Sequence, residues 1–228
     1  MESYKQQLFQ YLSGFISESR LQKIEENVRN RTRYLTIALE DIYQPHNASA
    51  VLRSAECLGI QDVHVIEQRN KYDPNPDVVM GANKWLTMHK YRNPEGSTLE
   101  CIQSLKKNGY RIIATTPHEK DTLIDKLDIH KGKMALFFGT EIDGISKVVR
   151  DHADEFVKIP MVGFTESFNI SVSAAICMYQ VMKDIRSSDL KWHLSEDEKL
   201  DIKLEWVKAS LNKPELLEKE FKIRSGLE

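Results

Sequence analysis

The stretch Phe156-Val157-Lys158-Ile159-Pro160-Met161-Val162-Gly163-Phe164-Thr165-Glu166-Ser167-Phe168-Asn169-Ile170-Ser171-Val172-Ser173-Ala174-Ala175 decides how the chain is read. An apolar strand-like run, expected near 155–159, is stopped by Pro160, which has no N–H to give to a sheet ladder. A polar loop follows, and from Ile170 to Ile185 apolar residues recur at helical spacing, with Ala174, Met178, Val181, Met182 and Ile185 forming the buried face. Asn169 or Ser171 can cap that helix by accepting a backbone N–H. These structural duties explain most of the segment. The mixture of Ile159, Met161 and Phe168 with Ser167 and Asn169 also suits an adenosyl group, which needs apolar walls and few polar anchors.

Upstream, short β-branched runs near 34–39, 62–66, 86–91, 111–115 and 134–138 alternate with helical patterns near 48–58, 98–108 and 145–151. Strand–helix alternation of this kind predicts an α/β fold with a mainly parallel sheet and helices on both faces. The first helix opens at Pro45-His46-Asn47-Ala48-Ser49-Ala50-Val51-Leu52-Arg53. Asn47 there is either a helix cap or a polar anchor. Arg53 is either a surface charge or, because helical side chains lean toward the N-terminus, a guanidinium that reaches the turn before the helix. The fifth run enters Phe138-Gly139-Thr140-Glu141-Ile142-Asp143-Gly144. Gly139 would let the backbone approach a ligand closely, since no Cβ intervenes, or would simply join strand to helix.

Composition narrows the class. With 228 residues, 41% hydrophobic and 29% charged, the chain can bury one substantial core plus appended elements. No apolar run approaches the roughly 20 residues of a membrane span, and Met1-Glu2-Ser3-Tyr4-Lys5 lacks a signal peptide's apolar core, so no membrane and a cytoplasmic location are expected. The 3 cysteines and 7 histidines show no ligand spacing, which predicts no metal. Neither G-x-G-x-x-G nor G-x-x-x-x-G-K-[ST] occurs, which disfavours dehydrogenase and NTPase readings. The net charge of −2 conceals a basic strip, Arg20, Lys23, Arg29, Arg31 and Arg33 against Glu25 and Glu26. That strip is a candidate RNA phosphate contact or a solvated helix face.

Helical extensions bracket the central domain. Leu8, Leu12, Phe15 and Ile16 mark a helix near 3–16, and Ser19 with Gln22 a capping box for a second. Ser195 with Glu198 caps a third, whose expected stripe is Leu200, Leu204, Val207 and Leu211, and Pro214 opens a fourth. The expected organisation is 1–33 N-terminal helical extension, 34–186 central α/β domain and 187–228 C-terminal helical extension.

Asn47 to Arg53, Gly139-Thr140-Glu141 and Ile159 to Ala175, in this order, resemble the three motifs of the SpoU-type RNA 2′-O-methyltransferases of the SPOUT class. The resemblance implies S-adenosylmethionine as methyl donor, a homodimer, and a trefoil knot at the C-terminal end of the domain. It implies a catalytic set of Arg53, Asn47, Glu141, Ser167 and Asn169, with Thr115, Gly139, Ile159, Met161 and Phe168 lining the cofactor site. The flanking segments look like the branch that methylates guanosine-18 of tRNA. Alternatives are ribosomal RNA or another tRNA position and, more distantly, a non-catalytic RNA-binding protein or a small-molecule α/β enzyme.

Overall fold

A computed structural model describes residues 3–69, 81–117, 121–140 and 143–225. The chain divides into two compact units, one of Thr32–Trp192 and one of Met1–Arg31 with His193–Glu228.

The larger unit holds β1 (Leu35–Glu40), α3 (Pro45–Cys57), β2 (Asp62–Ile66), β3 (Thr87–Tyr91), α4 (Ser97–Lys107), β4 (Arg111–Thr115), β5 (Thr122–Leu123), β6 (Met134–Phe138), α5 (Lys147–His152), β7 (Glu155–Lys158) and α6 (Ile170–Ser187). The strands form one sheet in the order β3-β2-β1-β6-β4-β7-β5. Every pairing is parallel, as expected from the alternation of strand and helix patterns. β5 was not anticipated, since two residues carry no periodic signal.

Both faces of the sheet are covered. Along β1 and β6, Leu35, Ile37, Leu39, Met134, Leu136 and Phe138 enter one core with residues of α3 and α6. Ala38, Ala135 and Phe137 enter the other with residues of α4. Alternation with period two therefore fills two cores instead of one core and a wet face, which is why these strands read as continuous apolar runs. Chain order reverses between β1 and β6, where open parallel sheets place a crevice beyond the carboxyl ends of their strands.

The smaller unit contains α1 (Tyr4–Ser13), α2 (Glu18–Val28), α7 (Glu196–Ser210) and α8 (Pro214–Arg224). Ser195 and Glu198 form the expected capping box, and Ser3 with Gln6 forms another. The cap of α2 is Ser17, accepting from Arg20 N, and not Ser19. Along α7 the buried residues are Ile202, Trp206 and Val207, so the expected stripe is rotated. Trp206 explains the rotation: Arg31, only 2% exposed, lies over its ring at 4.9 Å. A guanidinium stacked on a buried indole is not a phosphate contact, which removes Arg31 from the basic strip. Arg33 belongs to the larger unit and pairs with Asp62 at 2.9 Å, so it too is engaged. Arg20, Lys23 and Arg29 remain exposed on α2 and at its end.

One buried polar cluster sits between β2 and β3. His64 stacks on His89 with centroids 4.5 Å apart, and its Nδ1 lies 3.0 Å from Tyr91 OH. His89 Nε2 is 3.5 Å from Asp62 Oδ1. Burial, and then the neighbouring His89, push the His64 imidazole down to about 3. For Asp62, burial pushes the carboxyl up, but His89 and Arg33 together outweigh it and hold the group below its ordinary range.

The folded protein thus refuses a proton at His64 that an unfolded chain accepts near its usual pKa of about 6.5. Stability should fall as pH drops from about 6.5 toward 3, with a slope of up to about 1.4 kcal/mol per pH unit from this group. His64→Phe should flatten that limb. Urea midpoints at pH 6.5 and 4.5 check it, and equal losses in both proteins would assign the acid sensitivity elsewhere.

Candidate active site

Three loops meet at the carboxyl edge of the sheet, after β4, β6 and β7. They enclose a cavity of about 370 Å³. That lies within the roughly 300–1,000 Å³ typical of small-molecule sites. All five residues expected to line a cofactor site, Thr115, Gly139, Ile159, Met161 and Phe168, line this cavity, and so does Ser167.

The wall after β6 is built on close backbone contact. Thr140 N donates to Gly144 O at 2.9 Å and Gly144 N to Thr140 O at 3.1 Å, while Asp143 N donates to Thr140 Oγ1 at 2.9 Å. Gly144 adopts φ +66, which favours glycine. A Cβ on Gly139 would stand 2.1 Å from Gly144 O. Glycine at 139 is therefore required by the turn itself, in addition to any ligand approach. Glu141 lies outside the described residues.

The first and third motifs meet within one chain. Asn169 caps α6, its Oδ1 accepting from Ser171 N at 2.8 Å, and its Nδ2 donates to Asn47 Oδ1 at 3.2 Å. Asn47 is 2% exposed, and its own Nδ2 donates to Gln44 Oε1 at 3.1 Å. It does not cap α3: the helix starts at Pro45, with Gln44 as N-cap. Pro45 occupies the first turn, where its missing N–H costs nothing, so the helix gains three residues over the expected start at 48.

That earlier start corrects the expectation for Arg53. Eight residues from Pro45, it lies about 12 Å along the axis at 1.5 Å per residue, too far for its guanidinium to return to the turn. It is exposed on α3 and is not among the residues that line the cavity.

Charge and thiol chemistry of the cavity were not foreseen from sequence. Asp143 and Glu166 line it together with Arg150 and Lys158. Their only sequence signal is proximity to the second and third motifs. Cys177 from α6 also lines the cavity, and burial raises its thiol to about 12, so it stays protonated and unreactive at neutral pH. Among the described residues no group of His, Cys, Asp and Glu could hold a metal ion.

A doubly covered parallel sheet with a small-molecule cavity past its strand ends, walled by a glycine turn and a polar helix cap, is the architecture on which α/β enzymes hold their ligands. The SpoU rRNA Methylase family pattern matches residues 34–179, and the chain belongs to that family. It is 44% identical over 207 residues to a tRNA (guanosine(18)-2'-O)-methyltransferase of Borreliella burgdorferi, covering 91% of this chain and 93% of the relative. A protein of the same name from Thermus thermophilus is 31% identical, covering 73% and 84%. Among solved structures, the A. aeolicus TrmH/SpoU tRNA modifying enzyme superposes with a TM-score of 0.76 at 26% identity, covering 86% of this chain and 98% of that one.

Gly139→Ala should open the turn after β6 and destabilise the larger unit by about 1–3 kcal/mol, the usual cost of forcing extra volume into a packed site. Thermal denaturation checks this. An unchanged midpoint would show that the turn yields without penalty.

Proposed function

We propose that the protein transfers a methyl group from S-adenosylmethionine to the 2′-oxygen of a tRNA ribose, guanosine-18 in the D-loop. The observation that carries this reading is the convergence of Thr115, Gly139, Ile159, Met161, Ser167 and Phe168 on one cavity in a chain of this family. The activity for which the relatives are named supplies the nucleotide. Ribosomal RNA and other tRNA positions remain the alternatives within the same chemistry.

The residues fit the donor. Phe138, Ile159, Met161 and Phe168 supply apolar walls for an adenosyl group, and the glycine turn supplies a surface without side chains. Asp143 and Glu166 suit its cationic portions. The bound donor contributes a methyl on a positively charged sulfur, and the reaction is a direct displacement by the ribose oxygen. The protein's task is alignment and handling of the hydroxyl proton.

Arg53 has a guanidinium pKa above about 12, so it is a poor base. Its role is to stabilise negative charge developing on the ribose oxygen and to grip a neighbouring phosphate. Asn47 and Asn169 are hydrogen-bonded, and their role is to hold the start of α6 beside the segment that supplies Ser167 and Phe168 to the cavity. Glu141 is assigned to the same site through its motif position.

Because Arg53 does not line the cavity of its own chain, the complete site is assigned to a homodimer, with Arg53 of one protomer serving the cavity of its partner. The apolar residues Val172 and Tyr179, one helical face apart by seven residues on α6, are exposed in the single chain, as is Phe164 before it. Such a patch suits a second copy. The trefoil knot implied by the family is assigned to the segments around the cavity. Arg20, Lys23 and Arg29 are assigned to RNA phosphates. Among the described residues no helix is long and apolar enough to cross a membrane, and the site of action is assigned to the cytoplasm.

Incubation with methyl-labelled cofactor and unmodified tRNA should give 2′-O-methylguanosine, identified by mass and mapped to position 18. Absence of labelled nucleoside with tRNA overturns the reading. Arg53→Lys keeps the charge but loses the planar fork, so turnover should fall by about 100-fold, the scale of losing one oriented transition-state donor, with cofactor affinity nearly unchanged. Near-normal turnover would show that charge alone suffices.

A further inference from the structure

Glu40 ends β1 with its side chain buried, 3% exposed. Its partners are neutral donors on distant segments: Thr98 Oγ1, at the start of α4, donates to Oε1 at 2.7 Å, and the backbone N–H of Ser146 donates to Oε2 at 2.9 Å. Burying a carboxylate against uncharged donors is costly compared with an apolar side chain. What the carboxylate achieves is geometric.

Thr140 and Gly144 are bonded to each other, and those bonds do not set the angle of the pair to the sheet. The incoming side is fixed because β6 is paired with both β1 and β4. The outgoing side passes through Ile145 to Ser146, and Ser146 is held by Glu40 and by capping α5, its Oγ accepting from Val149 N at 3.2 Å. Gly139, Thr140, Asp143, Gly144 and Ile145 all line the cavity. The neighbouring residue Asp41, at φ +51, ties the loop after β2 by accepting from Gln68 N and Arg69 N at 2.7 and 2.8 Å. Arg69 Nη1 in turn reaches Asp143 Oδ2 at 3.4 Å.

We propose that Glu40 is a positioning residue for the donor cavity: the reach of its carboxylate to the Ser146 N–H sets Gly144 and Ile145, and through their bonds Thr140, against the rest of the site. This rests on the reading of the cavity as an S-adenosylmethionine site. Reach, and not charge, is the property that matters. Glu40→Gln keeps the reach, its amide oxygen taking the Ser146 N–H while its NH2 donates to Thr98 Oγ1, whose hydrogen turns to Gln68 Oε1 at 3.2 Å. Glu40→Asp keeps the charge and withdraws the acceptor by one methylene.

The test is calorimetric titration of the full-length protein with S-adenosylmethionine, alongside thermal midpoints. Glu40→Gln should bind within about threefold of the parent, whereas Glu40→Asp should lose about tenfold, the scale of one hydrogen bond. Leu105→Ala, in the core beneath α4, provides a destabilised control whose affinity should not move. Equal affinities in all variants, the reverse order for Gln and Asp, loss in both, or a parallel loss in Leu105→Ala would each overturn the proposal. A parent protein that binds no S-adenosylmethionine would instead overturn the cavity's assignment.

Discussion

Every strand of the sheet runs the same way, so every loop that leaves a carboxyl end is delivered to a single edge. Residues more than a hundred positions apart become neighbours there without any long-range device beyond strand order. Asn47 leaves after β1, Gly139 after β6 and Asn169 after β7, and the bond between Asn47 and Asn169 is one product of that convergence. The covering helices complete the constraint. α3 and α6 share one core and α4 occupies the other, so both faces of the central strands are covered and the strand ends carry the cavity.

The chemistry follows the same edge. Methyl transfer from a charged sulfur needs little covalent participation from protein, and the cavity offers little: its one thiol is locked in the protonated form. It offers placement instead. Gly139 packs tightly enough to exclude a single Cβ, and a capped helix closes another side. Close packing suits a reaction whose rate depends on holding two reactants in line.

Legibility in the sequence varied with the range of the cause. The six longer strands and the buried face of α6 were readable because each depends on local periodicity and a stop such as Pro160. Motif resemblance pointed to Thr115, Gly139, Ile159, Met161, Ser167 and Phe168 in the cavity wall, but not to Asp143, Arg150, Lys158, Glu166 or Cys177. Asn47 was misplaced as a possible cap because Pro45 moved the helix start, a choice between two adjacent signals. Arg31 was misassigned because its burial depends on Trp206, 175 positions away, and no local pattern reports such a stack. Glu40 drew no assignment from sequence, because its partners Thr98 and Ser146 come from distant segments.

The three thiols are graded by burial. Cys101 and Cys177 are buried, and burial raises the thiols of both, while Cys57 is exposed at the end of α3. Maleimide chemistry near neutrality acts on accessible thiolate. A dye or spin label offered to the untouched natural sequence would therefore settle on Cys57 alone. The chain arrives with a single attachment point built in, on the same helix that carries Arg53, so motion of that helix can be followed without engineering a cysteine-free background.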